Sequence, residues 1–180
     1  MKYIWHPCSQ MKDYEGLPSI VIERGEGLYL YDDKGKRYLD IISSWWCNLL
    51  GHTNPVISQK IKEQLDRLEH VIFANFTHRG AIELCEHLIP YLPAGLTKFH
   101  FSDNGSASVE CALKMSFQYQ QQIEQTQRTK FLCLSDGYHG ETLGALAVGT
   151  LDLYAKLYQP ILIETKRVTA PDCYSTLQKG

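Results

Sequence analysis

Two short stretches hold side chains and backbone that could do chemistry. In Phe99-His100-Phe101-Ser102-Asp103-Asn104-Gly105-Ser106-Ala107-Ser108-Val109-Glu110, an apolar β-type run gives way to small polar residues around one glycine, then to a helical pattern. That order places Gly105 and Ser106 at a strand-to-helix turn, where free backbone N–H groups and the helix dipole favour an anion such as phosphate. The same pattern suits an ordinary N-cap before a buried helix, and both readings stay open. Further on, Phe131-Leu132-Cys133-Leu134 ends in Ser135-Asp136-Gly137-Tyr138-His139-Gly140. Tyr138, between glycines, could lay its ring over a planar ligand or pack against a sheet edge, and His139 could move a proton or make a structural hydrogen bond. A phosphate cradle and an exposed aromatic at neighbouring strand ends suit a flat, phosphorylated ligand. No Gly-Lys-Ser/Thr follows the first turn and no Gly-x-Gly-x-x-Gly forms it, which argues against a nucleotide loop. A third candidate is Ser43-Ser44-Trp45-Trp46. From a regular strand its two indoles would leave on opposite faces, so one would line a pocket or interface while the other packs.

The elements that must position these residues follow from periodicity. Ile20–Ile22, Leu28–Tyr31 and Arg37–Leu39, separated by Gly25, Gly27 and Asp32-Asp33-Lys34-Gly35, read as an antiparallel meander. Asn54-Pro55 opens a helix predicted to run to about His70, and a second runs from about Arg79 to Leu88, ended by Pro90 and Pro93. After Gly95 the order becomes strand (Thr97–Ser102), helix (Ser106–Gln121), strand (Lys130–Leu134), helix (Thr142–Leu157, broken near Gly149) and strand (Ile161–Glu164). Strands alternating with helices of that length predict βαβ units and a parallel sheet, with ligands at the carboxyl ends of the strands. Both chemistry-bearing turns fall there.

Composition narrows the classes. The 180 residues are 44% hydrophobic and 21% charged, with a formal net charge of −2, so neither nucleic acid nor an anionic membrane surface is a general partner. The six cysteines form no Cys-x-x-Cys pair and no Cys/His cluster of zinc-like spacing, so neither a metal site nor a disulfide framework is expected. Cys85, Cys111 and Cys133 read as small buried hydrophobes of a reducing, cytoplasmic protein. No signal-peptide core or membrane-length apolar run appears.

Trp5-His6-Pro7, Ser43-Ser44-Trp45-Trp46, Asn75-Phe76-Thr77-His78, the run from Ser102 to Lys114, and Gly137-Tyr138-His139-Gly140-Glu141-Thr142 stand in one order and spacing. In these motifs the chain resembles, over essentially its whole length, the class III pyridoxal-phosphate aminotransferases. The resemblance implies an α/β protein of the PLP-dependent transferase fold (fold type I). Residues 1–50 would be a small-domain segment with the β-meander, and residues 51–180 an incomplete cofactor-binding large domain with a parallel or mixed sheet. It implies pyridoxal 5'-phosphate as cofactor, with Gly105 and Ser106 holding its phosphate and Tyr138 stacking on its ring and bordering the substrate. Trp-His-Pro and Ser-Ser-Trp-Trp resemble the branch of biotin biosynthesis. There an amino group passes from S-adenosylmethionine to 8-amino-7-oxononanoate, giving 7,8-diaminononanoate, and Trp45 would line the pocket for the aliphatic chain. Small-molecule substrates and a cytoplasmic homodimer, with sites built from both subunits, are further implications.

One departure concerns Cys8, which stands where that branch carries a substrate-gating tyrosine. It leaves that contact open, and with it the donor, S-adenosylmethionine or lysine. Transamination also needs a lysine that binds the cofactor covalently and shuttles the proton. No lysine here matches the family's motif for it, so no catalytic residue is assigned in this chain, which reads as an N-terminal portion inactive by itself. Another class III aminotransferase acting on an ω-amino acid shares most motifs, although Ser43–Trp46 argues against it. A non-catalytic remnant that binds a phosphorylated ligand is the reading from another class.

Overall fold

Alternating β-formers between aspartate and glycine turns fold into the expected meander, with one correction. The first strand, predicted at Ile20–Ile22, runs Ile22–Glu26, because Gly25 pairs with Leu30 inside the ladder instead of forming the turn. In a computed structural model, which describes residues 3–150 and 152–171, β1 (Ile22–Glu26), β2 (Tyr29–Asp32) and β3 (Arg37–Leu39) form an antiparallel sheet in the order β1-β2-β3. Register is set by Gly25 opposite Leu30 and by Leu30 opposite Tyr38. Asp32 closes the second hairpin from inside. Its Oδ1 accepts the N–H groups of Lys34 at 3.0 Å and Lys36 at 2.8 Å, and the Tyr38 hydroxyl donates to Oδ2 at 2.9 Å. These bonds, the Tyr38 hydroxyl among them, hold the carboxyl below the usual carboxylate range against the desolvation that would raise it.

The chain divides into two compact units, Met1–Leu84 and Cys85–Gly180. The first also holds α1 (Asp13–Gly16), the single turn α2 (Ser43–Trp46) and α3 (Pro55–Leu65), and α4 (Arg79–Leu88) spans the division. Asn54 caps α3 as expected, its Oδ1 accepting from Val56 N at 3.0 Å and Ile57 N at 3.3 Å, with Pro55 at the first position. The helix stops short of the predicted His70. Arg67 N–H turns to the Gln64 carbonyl, and the Gln64 side chain donates to Leu68 O at 2.8 Å, which tightens and ends the last turn.

In the second unit α5 (Gly105–Gln122) is followed by β4 (Phe131–Leu134), α6 (Leu143–Val148), α7 (Asp152–Ala155) and β5 (Thr165–Val168). β4 and β5 pair in parallel, Phe131 opposite Thr165 and Leu134 opposite Val168, as the βαβ reading requires. The break predicted near Gly149 separates α6 from α7. Two strand expectations are corrected. Residues 97–102 form no ladder among the described residues, because neither β4 nor β5 extends a register to them. The last strand lies at Thr165–Val168 rather than Ile161–Glu164, since Pro160 starts a 3₁₀ turn over Gln159–Ile161 and β-branched Thr165 and Val168 take up the pairing.

The core of this unit is small: Cys133, the run Ala145–Val148 and Ala155. Cys85 and Cys111 are only half-buried, against the expectation that all three cysteines lie inside. Among the described residues no large side chain is fully buried, and Leu132 of β4 is 68% exposed. An apolar strand face left this open is a template for association. The isolated chain is therefore expected to self-associate or to require a partner, read by light scattering against concentration. A soluble, cooperatively melting monomer would overturn this.

Candidate functional site

The first turn of α5 is built around Asn104. Its backbone is extended (φ −157°), and its Oδ1 accepts Ala107 N–H at 2.9 Å, so the capping role falls to Asn104 and not to Ser106. The N–H groups of Gly105 and Ser106, in the first turn, lack intrahelical acceptors by the geometry of any helix start. A Cβ on Gly105 would meet nothing within 4 Å, so open space lies beside them. The Ser106 hydroxyl accepts Glu141 N–H at 3.2 Å, which leaves its own proton as a donor.

That bond ties α5 to the Gly-Tyr-His-Gly turn, and the turn is held from both ends. Thr150, buried, receives Gly137 N–H at 3.0 Å, donates its hydroxyl to Leu134 O at 3.1 Å, and gives its N–H to Gly137 O at 2.9 Å. Gly140 has φ +111° and lies against Ser106: a Cβ there would overlap Ser106 Oγ and stand 2.8 Å from its Cβ. One helical turn along α5, Glu110 Oε1 accepts from Gly144 N at 2.7 Å and Ala145 N at 3.3 Å. A hydrogen bond from Thr142, with those of Gly144 and Ala145, holds this carboxyl below its ordinary range despite partial burial. Ser106 and Glu110 are four residues apart, hence on one helix face, and both hold the same turn. Tyr138 is 55% exposed. Its hydroxyl donates to Glu141 Oε1 at 3.1 Å, and its ring lies 5.7 Å from that of Tyr154, tilted 57°. His139 is exposed, its ring set against Gly137.

Gly105, Ser106 and Tyr138 thus stand together in the second unit, as the sequence pattern anticipated. The structure adds Asn104, Glu110, Glu141 and Thr150. The four-residue spacing of Ser106 and Glu110 was the available signal for Glu110. Asn104 carried a local signal as well, an asparagine just before a helical run, whereas Glu141 and Thr150 depend on longer-range geometry.

Trp45 belongs to the first unit, where Ser43–Trp46 forms a single turn rather than a regular strand. Ser43, Ser44, Trp45 and Trp46 all have positive φ (49°, 47°, 65° and 68°), a left-handed turn that costs about 1–2 kcal/mol per non-glycine residue. The indoles of Trp45 and Trp46 are 70% and 76% exposed, with ring centroids 5.9 Å apart. Asp40 anchors the turn: its Oδ2 accepts the Ser44 hydroxyl at 2.8 Å and lies 2.8 Å from His52 Nε2. The backbone and side-chain hydrogen bonds of Ser44, joined by His52, bring the Asp40 carboxyl down to about 2.

The donor set of the second unit fits a phosphorylated planar cofactor. Open space beside two helix-start N–H groups and a serine hydroxyl suits phosphate, and an exposed tyrosine ring suits a flat heterocycle.

Comparison with known proteins agrees. The family model for aminotransferase class-III matches residues 10–179. The adenosylmethionine-8-amino-7-oxononanoate aminotransferase of Helicobacter pylori is 48% identical over 172 residues, 95% of this chain and 38% of that protein. The crystal structure of the enzyme of that name from Methanocaldococcus jannaschii superposes with a TM-score of 0.88 at 40% identity, covering 94% of this chain and 39% of that one. The omega transaminase of Pseudomonas jessenii in complex with PMP gives a TM-score of 0.86 at 29% identity, over 96% of this chain and 38% of that one. The chain therefore spans well under half the length of the relatives it matches.

Proposed function

The chain belongs to the class-III aminotransferases, a pyridoxal-phosphate-dependent enzyme family, and from that membership we propose that it forms the cofactor cradle of the aminotransferase of biotin biosynthesis. The reaction would carry an amino group from S-adenosylmethionine to 8-amino-7-oxononanoate, giving 7,8-diaminononanoate, in a cytoplasmic homodimer. When bound, the cofactor supplies an electron sink for the carbanion that transamination generates.

The chain's own residues bind and orient. The N–H groups of Gly105 and Ser106, with the Ser106 hydroxyl, would hold the phosphate at the positive end of α5. Tyr138 would cover one ring face and border the substrate, its hydroxyl kept in place by Glu141. Trp45 would line the way for the nine-carbon acceptor, whose apolar chain suits an indole. The observation that carries the cradle is the division of labour at α5: Asn104 takes the cap, so the Ser106 hydroxyl remains for a ligand.

The choice of branch rests on the 48% identity to the Helicobacter pylori relative and on Ser43-Ser44-Trp45-Trp46. A second reading, an ω-amino-acid aminotransferase, is supported by the close fold likeness to the omega transaminase. Substrate profiling of a version extended to the length of its relatives separates the two. The expected result is turnover of 8-amino-7-oxononanoate with S-adenosylmethionine or lysine. Turnover of ornithine or 4-aminobutyrate without the oxononanoate would sink the reading.

A further inference from the structure

We propose that Asp40, Ser44 and His52 are positioning residues that hold the left-handed Ser43–Trp46 turn and thereby set where the Trp45 indole stands. The consequence for an acceptor rests on the reading of Trp45 given above; the positioning itself does not.

The argument begins with what could hold this turn. Serine and tryptophan have no preference for left-handed backbone, yet four such residues follow one another with positive φ. Packing within the unit does not impose the conformation, since both indoles are largely exposed. Backbone bonds contribute, with Trp46 N–H donating to Ile42 O at 2.8 Å and Asn48 N–H to Ser43 O at 3.0 Å, but they tie the turn only to its own neighbours. The side-chain cluster ties it to the sheet.

Its links run in series. His52 is bridged to Gly27 at the β1–β2 turn, its N–H donating to Gly27 O at 2.7 Å and its carbonyl accepting Gly27 N–H at 3.1 Å. Its side chain fills the space above Gly25, where an added Cβ would fall 2.7 Å from His52 Cβ. The ring reaches Asp40 at 2.8 Å, and Asp40 is itself bound to the sheet through its N–H to Leu28 O at 2.9 Å. With side chains only 6% and 13% exposed, Asp40 and His52 form a sheltered pair. Asp40 then receives the Ser44 hydroxyl at 2.8 Å, in the middle of the strained turn. Strain persists where surrounding structure over-determines it, and here the over-determination passes through three side chains, one residue away from Trp45.

The test needs no ligand and uses the 180-residue chain below the concentration at which light scattering shows it to self-associate. Two indoles whose centroids are 5.9 Å apart at 53° give an exciton couplet in far-ultraviolet circular dichroism, and Trp46→Phe, which removes one ring, defines its zero. Ser44→Ala removes the hydroxyl and keeps the left-handed cost, so the couplet should fall to the Trp46→Phe level. Ser44→Gly removes the hydroxyl together with Ser44's own share of the left-handed cost, so more of the couplet should survive than in Ser44→Ala. Asp40→Ala should lose it, and adding Ser44→Gly to Asp40→Ala should restore part of it. A wild-type chain without a couplet overturns the proposal. So does an undiminished couplet in Ser44→Ala, or a loss in Ser44→Gly as complete as in Ser44→Ala. The couplet reads the turn whether or not an acceptor binds, so its failure and a failed acceptor assay are separate results.

Discussion

Two glycine-to-alanine substitutions, at Gly140 and Gly105, are expected to separate the scaffold of the cradle from its ligand contacts. Gly140→Ala forces a side chain into φ +111° and against Ser106, with the new Cβ 3.0 Å from Ser106 Cα and closer still to its hydroxyl. Left-handed backbone and overpacking each cost about 1–2 kcal/mol, roughly 3 kcal/mol together. The Glu141 N–H that donates to Ser106 should then exchange with solvent roughly a hundredfold faster. Gly105→Ala meets no atom within 4 Å, and alanine is the better helix former, so exchange along α5 should slow or stay the same. On the proposed reading of the cradle, its methyl group would enter the open space beside the N–H groups assigned to phosphate. Alanine keeps the N–H, so any loss is steric: if the methyl group holds the phosphate off its donors by the equivalent of one charge-assisted hydrogen bond, pyridoxal phosphate binding weakens by about tenfold or more. Amide exchange and an absorbance titration with pyridoxal phosphate, run on both variants, check this. Unchanged binding in Gly105→Ala would remove Gly105 from the cradle, and unchanged exchange in Gly140→Ala would mean the two turns do not meet as described.

What was legible in the sequence was local chemistry. Asn54-Pro55 capped α3 because the cap and the first-turn proline act within a few residues. The meander appeared because glycine and aspartate turns impose their own geometry, and Gly149 broke the helix where it was expected to. Strand identity after Gly95 was harder, since a strand exists only if another accepts its ladder: Thr97–Ser102 has the composition but not the partner. The Ser43–Trp46 turn was beyond local reading, because a left-handed run of serine and tryptophan opposes every intrinsic preference of those residues. It exists through Asp40 and His52, which sequence spacing alone does not bring together. The cradle shows both cases at once. Gly105 and Ser106 were visible as a turn, whereas the assignment of the cap to Asn104, which leaves the Ser106 hydroxyl for other use, required coordinates.

Glu110 is the second substitution of large expected effect, and its sign can be worked out against pH. Its carboxylate receives Gly144 N–H and Ala145 N–H at the start of α6, in the role of an N-terminal cap supplied by a neighbouring helix. Glu110→Ala leaves those donors without their acceptor and costs about 1–2 kcal/mol, so the two amides should exchange about 5–30-fold faster. Glu110→Gln keeps an acceptor oxygen and loses the charge, and should fall between wild type and alanine. The folded-state carboxyl lies below its ordinary value of 4.5, chiefly through the Thr142 hydrogen bond. Its stabilisation is therefore complete above the unfolded value and is lost as pH falls through the folded one. The advantage of wild type over Glu110→Gln, measured as the ratio of Gly144 and Ala145 exchange rates at each pH, should be constant near neutrality and shrink towards unity below about 4.5. A ratio that stays constant into acid would show that the charge of Glu110 does not hold α6, and that its oxygen serves there only as a neutral acceptor.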